Sequence, residues 1–239
     1  MTFFQQNSIS NIVWHVICDF DGTISLKDTT DTLLNQFAHP DWEKIEQQWE
    51  QGLIGSKQCM QQQIALLDMT EQQLLHCLDQ IKIDSNFVAL VHLLEKQQVK
   101  LSIVSDGLDF VIQHILKKNQ LDHLPIIANH LAHPTNTRWE LSFPYSDIAC
   151  NTQSGTCKCK VAQQNHHEKI ILIGDGRSDF CLAEQADYVF AKKSLIDHCV
   201  NKNIQHHPFE DFSQLLEPLL AILNSPSQVF DATKLWVNS

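Results

Sequence analysis

Residues 16–23 read Val16-Ile17-Cys18-Asp19-Phe20-Asp21-Gly22-Thr23, an apolar run with the pattern of a buried strand that stops at two aspartates flanking one residue. In a strand, residues i and i+2 point the same way. Asp19 and Asp21 would therefore emerge together at the strand's carboxyl end, where open α/β sheets hold their ligands. Two anions that close repel each other unless a cation sits between them or one carboxyl is protonated. The pattern points to Mg²⁺ chemistry or acid–base work. An Asx turn and helix cap is the alternative without chemistry, since Asp and Gly are common there.

Composition narrows the classes. The 239 residues suit one domain, or one domain with a modest insertion, and 43% hydrophobic against 19% charged content reads as globular. A formal net charge of -11 argues against a sequence-independent grip on nucleic acid or on an anionic membrane, both of which need a basic face. A phosphorylated substrate would have to be held by a local cluster of cations. The start, Met1-Thr2-Phe3-Phe4-Gln5-Gln6-Asn7, has neither a basic flank nor a long apolar core, so neither a signal peptide nor a membrane span is expected. The eight cysteines are scattered, which suits reduced thiols in a cytoplasmic protein.

The order of elements is the second constraint. Residues 28–85 show no strand, only helix-like patterns over 30–37, 42–49, 56–67 and 70–78, the last opened by a Thr70/Gln73 capping box. Strand and helix then alternate: strand 99–104, helix 108–118, strand 126–129, a hairpin-like piece over 139–143 that Pro144 should end, helix 158–164, strand 169–173, helix 180–185 and strand 188–190. This predicts an α/β fold, a doubly wound parallel sheet built from 1–27 and 86–239, with residues 28–85 as a helical insertion after the first strand.

Three further polar clusters fall at the ends of later strands. Ser105-Asp106-Gly107 follows an apolar strand and precedes a helix, where a hydroxyl and free backbone N–H groups can take phosphate oxygens. Gly174-Asp175-Gly176-Arg177-Ser178-Asp179 repeats the pattern of apolar strand followed by carboxylates, and Gly155-Thr156-Cys157-Lys158 offers a lysine near a helix start. Taken singly, these residues read as an N-cap, helix-terminus carboxylates and a solvated lysine. Their joint order is what gives them weight.

Asp19-Phe20-Asp21-Gly22-Thr23, Ser105, Lys158 and the 174–179 segment resemble the four motifs of the haloacid-dehalogenase-like phosphatase superfamily, over residues from about 14 to 190. The helical insertion after the first motif resembles the phosphoserine-phosphatase-like branch. The segments Ser105-Asp106-Gly107-Leu108-Asp109-Phe110 and Gly-Thr-Cys-Lys resemble the 2-hydroxy-3-keto-5-methylthiopentenyl-1-phosphate phosphatase family of methionine salvage. The resemblance implies a Rossmann-like core with a cap, and Mg²⁺-dependent hydrolysis of a small phosphorylated metabolite through an aspartyl-phosphate. It assigns Asp19 as nucleophile and Asp21 as acid and base. Ser105, Asp106, Gly107 and Lys158 would form the phosphate and substrate site, with Lys160 competing for the lysine role. Mg²⁺ would be held by Asp19, the Asp21 backbone carbonyl, Asp175 and, from further out, Asp179. A phosphotransferase or phosphomutase on the same fold, or a binding module whose catalysis has decayed, are the other classes this pattern admits.

Specificity would come from the insertion. Where phosphoserine phosphatases carry a glutamate for the ammonium and an arginine for the carboxylate of the substrate, the equivalents here are Asp28 and Gln63, which disfavours phosphoserine. Trp42, Trp49, Ile64 and Met69 could meet an apolar tail, or could simply pack helices. Cys150, Cys157 and Cys159, with His166 and His167, match no common zinc spacing.

Overall fold

The computed structural model describes residues 12–133, 138–164 and 167–224. β1 (Val13–Cys18) is buried from Trp14 to Cys18 and lies at the middle of a seven-stranded sheet. It pairs in parallel with β2 (Lys100–Leu108) on one side and β5 (Glu168–Gly174) on the other. β3 (Ile126–Ala132) extends the sheet beyond β2, and β6 (Tyr188–Ala191) and β7 (His207–Pro208) extend it beyond β5, all in parallel. β4 (Glu140–Ser142), the expected hairpin piece, adds an antiparallel edge to β3.

Strand periodicity divides the core in two. Val16, Cys18, Ile103, Ile171 and Ile173 face one buried cluster, while Ile17, Val104, Leu172 and Val189 face another. A parallel sheet covered on both faces needs apolar residues at successive positions, which is why these strands read as apolar runs. The second face is covered by α7 (Lys158–Ala162), α8 (Phe180–Ala183) and α9 (Lys193–Lys202), through Val161, Leu182 and Leu195. The first is covered by α5 (Phe87–Lys96), α6 (Asp109–Lys118) and α10 (Leu216–Asn224). Phe87 meets Phe212 edge to face at 5.1 Å, and Asp84 accepts the Phe212 N–H at 3.0 Å, tying the late segment to the start of α5.

Between β1 and α5 lie α1 (Thr29–Phe37), α2 (Trp42–Glu50), α3 (Ser56–Ile64) and α4 (Glu71–Leu78). A bridge between Ser25 and Ile83 brings the two ends of this stretch together. The capping box at Thr70 forms, with Gln73 N–H donating to Thr70 Oγ1 at 3.3 Å and Thr70 N–H to Gln73 Oε1 at 2.8 Å. Leu33, Leu34, Ile64, Met69 and Leu74 share the buried cluster of the first sheet face, so helices and sheet pack on one continuous core.

Several boundaries differ from the sequence reading. The helix expected over 56–67 ends at Ile64, because the chain turns there and Leu67 bridges to Ala38. The strand expected to stop at residue 104 continues to Leu108, with its pairing to β3 interrupted between Val104 and Leu108. Ser105 therefore lies within β2, on its irregular stretch. The helices α5, α9 and α10 and the strand β7 go beyond what periodicity had indicated. Among the described residues no helix is long and apolar enough to cross a membrane.

Candidate active site

The parallel strands deliver their carboxyl ends to one edge of the sheet. Asp19 follows β1 and extends its ladder, its N–H donating to Ile173 O at 2.9 Å. The chain then turns back on Phe20 O, with Gly22 at φ +71. A Cβ on Gly22 would stand 2.2 Å from Asp175 Oδ2, so both the backbone angle and the approach of Asp175 require glycine.

Asp19 Oδ1 accepts the Phe20 N–H at 2.8 Å and lies 3.0 Å from Lys158 Nζ. Lys158 comes from the first turn of α7 and is buried; its ammonium also donates to Asp179 Oδ1 and, at 3.0 Å, to Ser178 Oγ. Burial opposes the charge on Lys158, but Asp179 and Asp19 outweigh it and hold its pKa above the ordinary lysine range. Lys160 points elsewhere, donating to Ser146 O at 3.0 Å in an exposed position.

Asp175 follows β5, and a single 3₁₀ turn over Arg177–Asp179 returns Asp179 beneath it. Asp179 Oδ2 accepts the N–H groups of Asp175 and Gly176, both at 3.1 Å. Asp175 accepts Thr23 Oγ1 at 3.2 Å and Lys193 Nζ at 2.9 Å.

Carboxylate oxygens of Asp19, Asp175 and Asp179 lie within 4.8 Å of one another, all three side chains buried. Burial, followed by Asp179 and Asp175 for Asp19 and by Asp179 for Asp175, pushes both carboxyl pKa values up; Lys158 and Lys193 only partly oppose this. Two ammonium groups thus face three packed carboxylates, and the donor set is all hard oxygen. These residues fit Mg²⁺.

The Asp21 carboxylate stands apart from that trio. Its Oδ1 accepts the Thr29 N–H at 2.8 Å, and its Oδ2 lies over Gly107, where a Cβ would come within 2.4 Å. Burial, and then Asp28, raises its pKa to about 7. Ser105 Oγ accepts the Gly107 N–H at 3.0 Å and lines the same cavity. Asp106 is spoken for: it accepts Ser56 Oγ, Thr156 N–H at 2.9 Å and Asn129 Nδ2 at 3.1 Å. Its carboxylate is a tie between α3, β3 and the segment before α7.

Asp19, Asp21, Ser105, Asp106 and Asp175 floor a cavity of about 590 Å³, within the size of small-molecule sites. Its roof comes from α1–α3: Asp28, Asp31, Glu46, Trp49, Glu50 and Met60. Asp28 also caps α1, accepting the Asp31 N–H at 2.9 Å. Both side chains remain open to solvent at the cavity mouth; partial desolvation there, and then Asp31, raises the Asp28 pKa to about 7, and partial desolvation with Glu46 raises Asp31 to about 6. Of the four residues considered for an apolar tail, Trp49 lines the cavity, whereas Ile64 and Met69 are in the core and Trp42 packs against it. Gln63 is buried on Glu46 at 2.7 Å.

Lys193, Ser56 and Asn129 were not singled out from the sequence, and Arg177 entered only as part of the 174–179 segment, without a role of its own. Lys193 stands just past β6, so the strand-end rule that found Asp19 and Asp175 could have found it. Arg177 reaches the roof from the core side, donating to Trp49 O at 2.9 Å with its guanidinium 5.4 Å from the Trp49 ring.

Residues 14–216 match the family model described as "Putative Phosphatase". A protein of Exiguobacterium sp. strain AT1b named 2-hydroxy-3-keto-5-methylthiopentenyl-1-phosphate phosphatase is 31% identical over 204 residues, covering 83% of this chain and 93% of that protein. One of the same name from Bacillus velezensis is 28% identical over 205 residues, covering 84% and 87%. A solved phosphoserine phosphatase with a phospho-aspartyl intermediate analogue superposes with a TM-score of 0.66 at 18% identity, covering 87% of this chain and 99% of that one. A substrate-bound phosphoserine phosphatase superposes at 0.65 and 17%, covering 86% and 98%; at such identities the likeness speaks for the fold. The chain belongs to the "Putative Phosphatase" family, and its fold is the one the solved phosphoserine phosphatases share.

Proposed function

We propose that this phosphatase is a Mg²⁺-dependent, cytoplasmic phosphomonoesterase that hydrolyses a small phosphorylated metabolite through an aspartyl-phosphate on Asp19. The observation that carries the reading is the Asp19 carboxylate, held 3.0 Å from the buried Lys158 ammonium at the floor of a cavity that Asp21 and Ser105 also line. Ser105 and Lys158 bind the transferring phosphoryl oxygens, and Lys158 offsets charge as it develops. The Asp19 carboxylate attacks phosphorus, the ester oxygen leaves, and hydrolysis is split into two displacements. Asp21, positioned by the Thr29 N–H, gives a proton to the leaving oxygen and then takes one from the water that attacks the phosphoaspartate. Asp19, Asp175 and the Asp21 backbone carbonyl would hold Mg²⁺, with Asp179 supporting them from further out, and the ion would supply neutralisation of the charge that nucleophile and phosphate bring together. Residues 28–85 act as a cap that excludes water over a core formed by the described residues of 1–27 and 86–239.

The relatives are named for 2-hydroxy-3-keto-5-methylthiopentenyl-1-phosphate, and Trp49 and Met60 offer a methylthio tail apolar contact. A second substrate reading rests on the charge of the roof. Asp28, Asp31, Glu46 and Glu50 disfavour a second anion on the substrate and favour an ester whose organic part carries an ammonium.

The test is inorganic phosphate release from the methylthiopentenyl ester, phosphocholine, phosphoserine, pyridoxal phosphate and sugar phosphates, with and without Mg²⁺, with Asp19→Asn as control. Mg²⁺-dependent turnover that Asp19→Asn abolishes is the expected result. Full activity in Asp19→Asn would sink the covalent mechanism. Isomerised product without free phosphate would make the protein a phosphomutase, and silence without Mg²⁺ binding would make it a decayed binding module.

A further inference from the structure

Cys150, Cys157, Cys159 and Cys181 line a second, smaller cavity of about 120 Å³, beside the phosphate site but separate from it. They come from the loop after β4, the cap of α7, α7 itself and α8; nothing in their spacing announced Cys181 as a companion of the other three. They do not form a metal set. Among the described residues only Asp19, Asp175 and Asp179 bring three ligand atoms within 4.8 Å of one another. His166 lies outside the described residues.

Two of the four thiols bracket a single short loop. Cys150 and Cys157, at the two ends of that loop, both line this cavity, and Cys150 Sγ lies 3.3 Å from Thr152 Oγ1. Burial pushes the Cys150 thiol up, but hydrogen bonds from Thr152, Ser154 and Cys157 outweigh it and leave its pKa below the ordinary cysteine value. Cys157 is instead held above that value, chiefly by burial. Elsewhere in the chain, Cys18, Cys59, Cys77 and Cys199 are buried thiols whose pKa values burial raises. The pair is thus asymmetric, one partner suited to attack and the other to resolve.

The segment between the two cysteines is wired into the phosphate site. Gln153 O accepts the Lys57 N–H of α3 at 3.0 Å, and Thr156 N–H donates to Asp106 at 2.9 Å. Cys157 caps α7 and is followed at once by Lys158. A bond between Cys150 and Cys157 would draw this loop tight and move the residue on which Asp19 and Asp179 both rest.

We propose that Cys150 and Cys157 are an oxidation-sensitive dithiol, and that their conversion to a disulfide by a peroxide displaces Lys158 and shuts the site; the regulatory part rests on the phosphatase reading above. The Cys150 thiolate attacks one peroxide oxygen, the O–O bond breaks, and the other oxygen leaves as hydroxide that is protonated to water. The Cys157 sulfur then attacks the Cys150 sulfenic acid, the S–O bond breaks, and a second water leaves. The two thiols lose two electrons and two protons, and one peroxide becomes two waters. Disulfides of this transient kind are the ones expected in a cytoplasmic protein.

The experiment treats the full-length protein with hydrogen peroxide and maps its peptides by mass spectrometry without reduction, measuring phosphate release in parallel. The expected result is a Cys150–Cys157 linkage with activity reduced about tenfold or more, restored by dithiothreitol, since small displacements of catalytic groups cost rates of that order. Cys150→Ser should keep basal activity and resist peroxide. The proposal is overturned if the two peptides remain unlinked, if the linkage joins other cysteines, if linkage leaves activity unchanged, or if Cys150→Ser is inactivated equally. Should Cys150→Ser fail to fold, the wild-type peptide map decides. An untreated protein with no phosphatase activity would count against the phosphatase reading, whereas the peptide map tests the dithiol without reference to activity.

Discussion

Lys158 Nζ sits 3.0 Å from Asp19 Oδ1, and the same ammonium also binds Asp179, so one buried cation supports two carboxylates that follow different strands, β1 and β5. Replacing it by methionine keeps the length of the side chain and removes the charge. Lys158→Met should cost about 3–5 kcal/mol, as breaking a buried ion pair does, and lower kcat by roughly 100-fold or more. Lys160→Met, on the exposed neighbour, should change neither. Thermal melts and steady-state kinetics on the two variants check this.

Gly107 leaves room for the Asp21 carboxylate. A Cβ there would meet Asp21 Oδ2 at 2.4 Å and Ser105 Oγ at 3.1 Å. Gly107→Ala should push Asp21 out of place and reduce kcat by about 100-fold while the protein stays folded. Wild-type rates in this variant, with an unchanged melting temperature, would show that Asp21 need not be where the structure puts it.

Ser56 joins the first turn of α3 to Asp106 on the core. Ser56→Ala removes that tie without touching the nucleophile, so KM should rise several-fold with kcat little changed, at a stability cost of about 1–3 kcal/mol for the buried acceptor left short of a donor. A fall in kcat at constant KM would place Ser56 in the chemistry instead.

Asp28 separates two effects that one residue combines. Asp28→Asn keeps an acceptor for the α1 cap but loses the charge, whereas Asp28→Ala loses both and should also destabilise the protein by about 1 kcal/mol. If the roof selects an ammonium, Asp28→Asn should raise KM for phosphocholine and leave a neutral ester unaffected. Equal effects on both esters would remove the second substrate reading.

His15 gives a pH dependence remote from catalysis. Its Nε2 is 2.9 Å from Ser102 Oγ and its Nδ1 3.1 Å from Glu168, at the amino ends of the central strands. Burial, with Lys100 adding to it and Glu168 opposing, lowers its pKa from 6.5 to about 4. The unfolded chain therefore binds a proton that the folded one refuses between these values. Stability is fully present above about 6.5 and is lost as pH falls toward about 4. Chemical denaturation across this window should show a slope that His15→Gln flattens.

The residues that the sequence made legible are those whose position follows from a local rule. Asp19, Asp21 and Asp175 stand just past the ends of apolar strands, and Ser105 on the irregular last part of β2; parallel strands bring such ends together whatever lies between them. Thr70 announced its helix because both halves of a capping box lie within four residues. Lys193 obeys the strand-end rule and went unread because β6 is short. The Asp106 tie could not be read at all, since Ser56, Asn129 and Thr156 meet only after folding. The helix α5 was hidden by its own composition: Phe87-Val88-Ala89-Leu90-Val91 is apolar almost throughout, so no polar face marks its period. The acidic roof followed the same pattern, as its carboxylates are spread over α1 and α2 and only the packing of those helices gathers them.

The central place of β1 sets an order of assembly. Its neighbours β2 and β5 begin at Lys100 and Glu168, and Thr23 meets its partner Asp175 across 152 residues of chain. During synthesis the first strand emerges with both of its edges unpaired and its two aspartates without counter-charge. The helices α1–α4 are local and can form early, but the strand that precedes them must wait for nearly three-quarters of the polypeptide before it is enclosed. Contacts of such long range are slow to form and leave an apolar strand exposed meanwhile. The chain thus completes these four helices before the sheet they pack on exists, and nascent molecules halted before β5 should be the ones that chaperones hold.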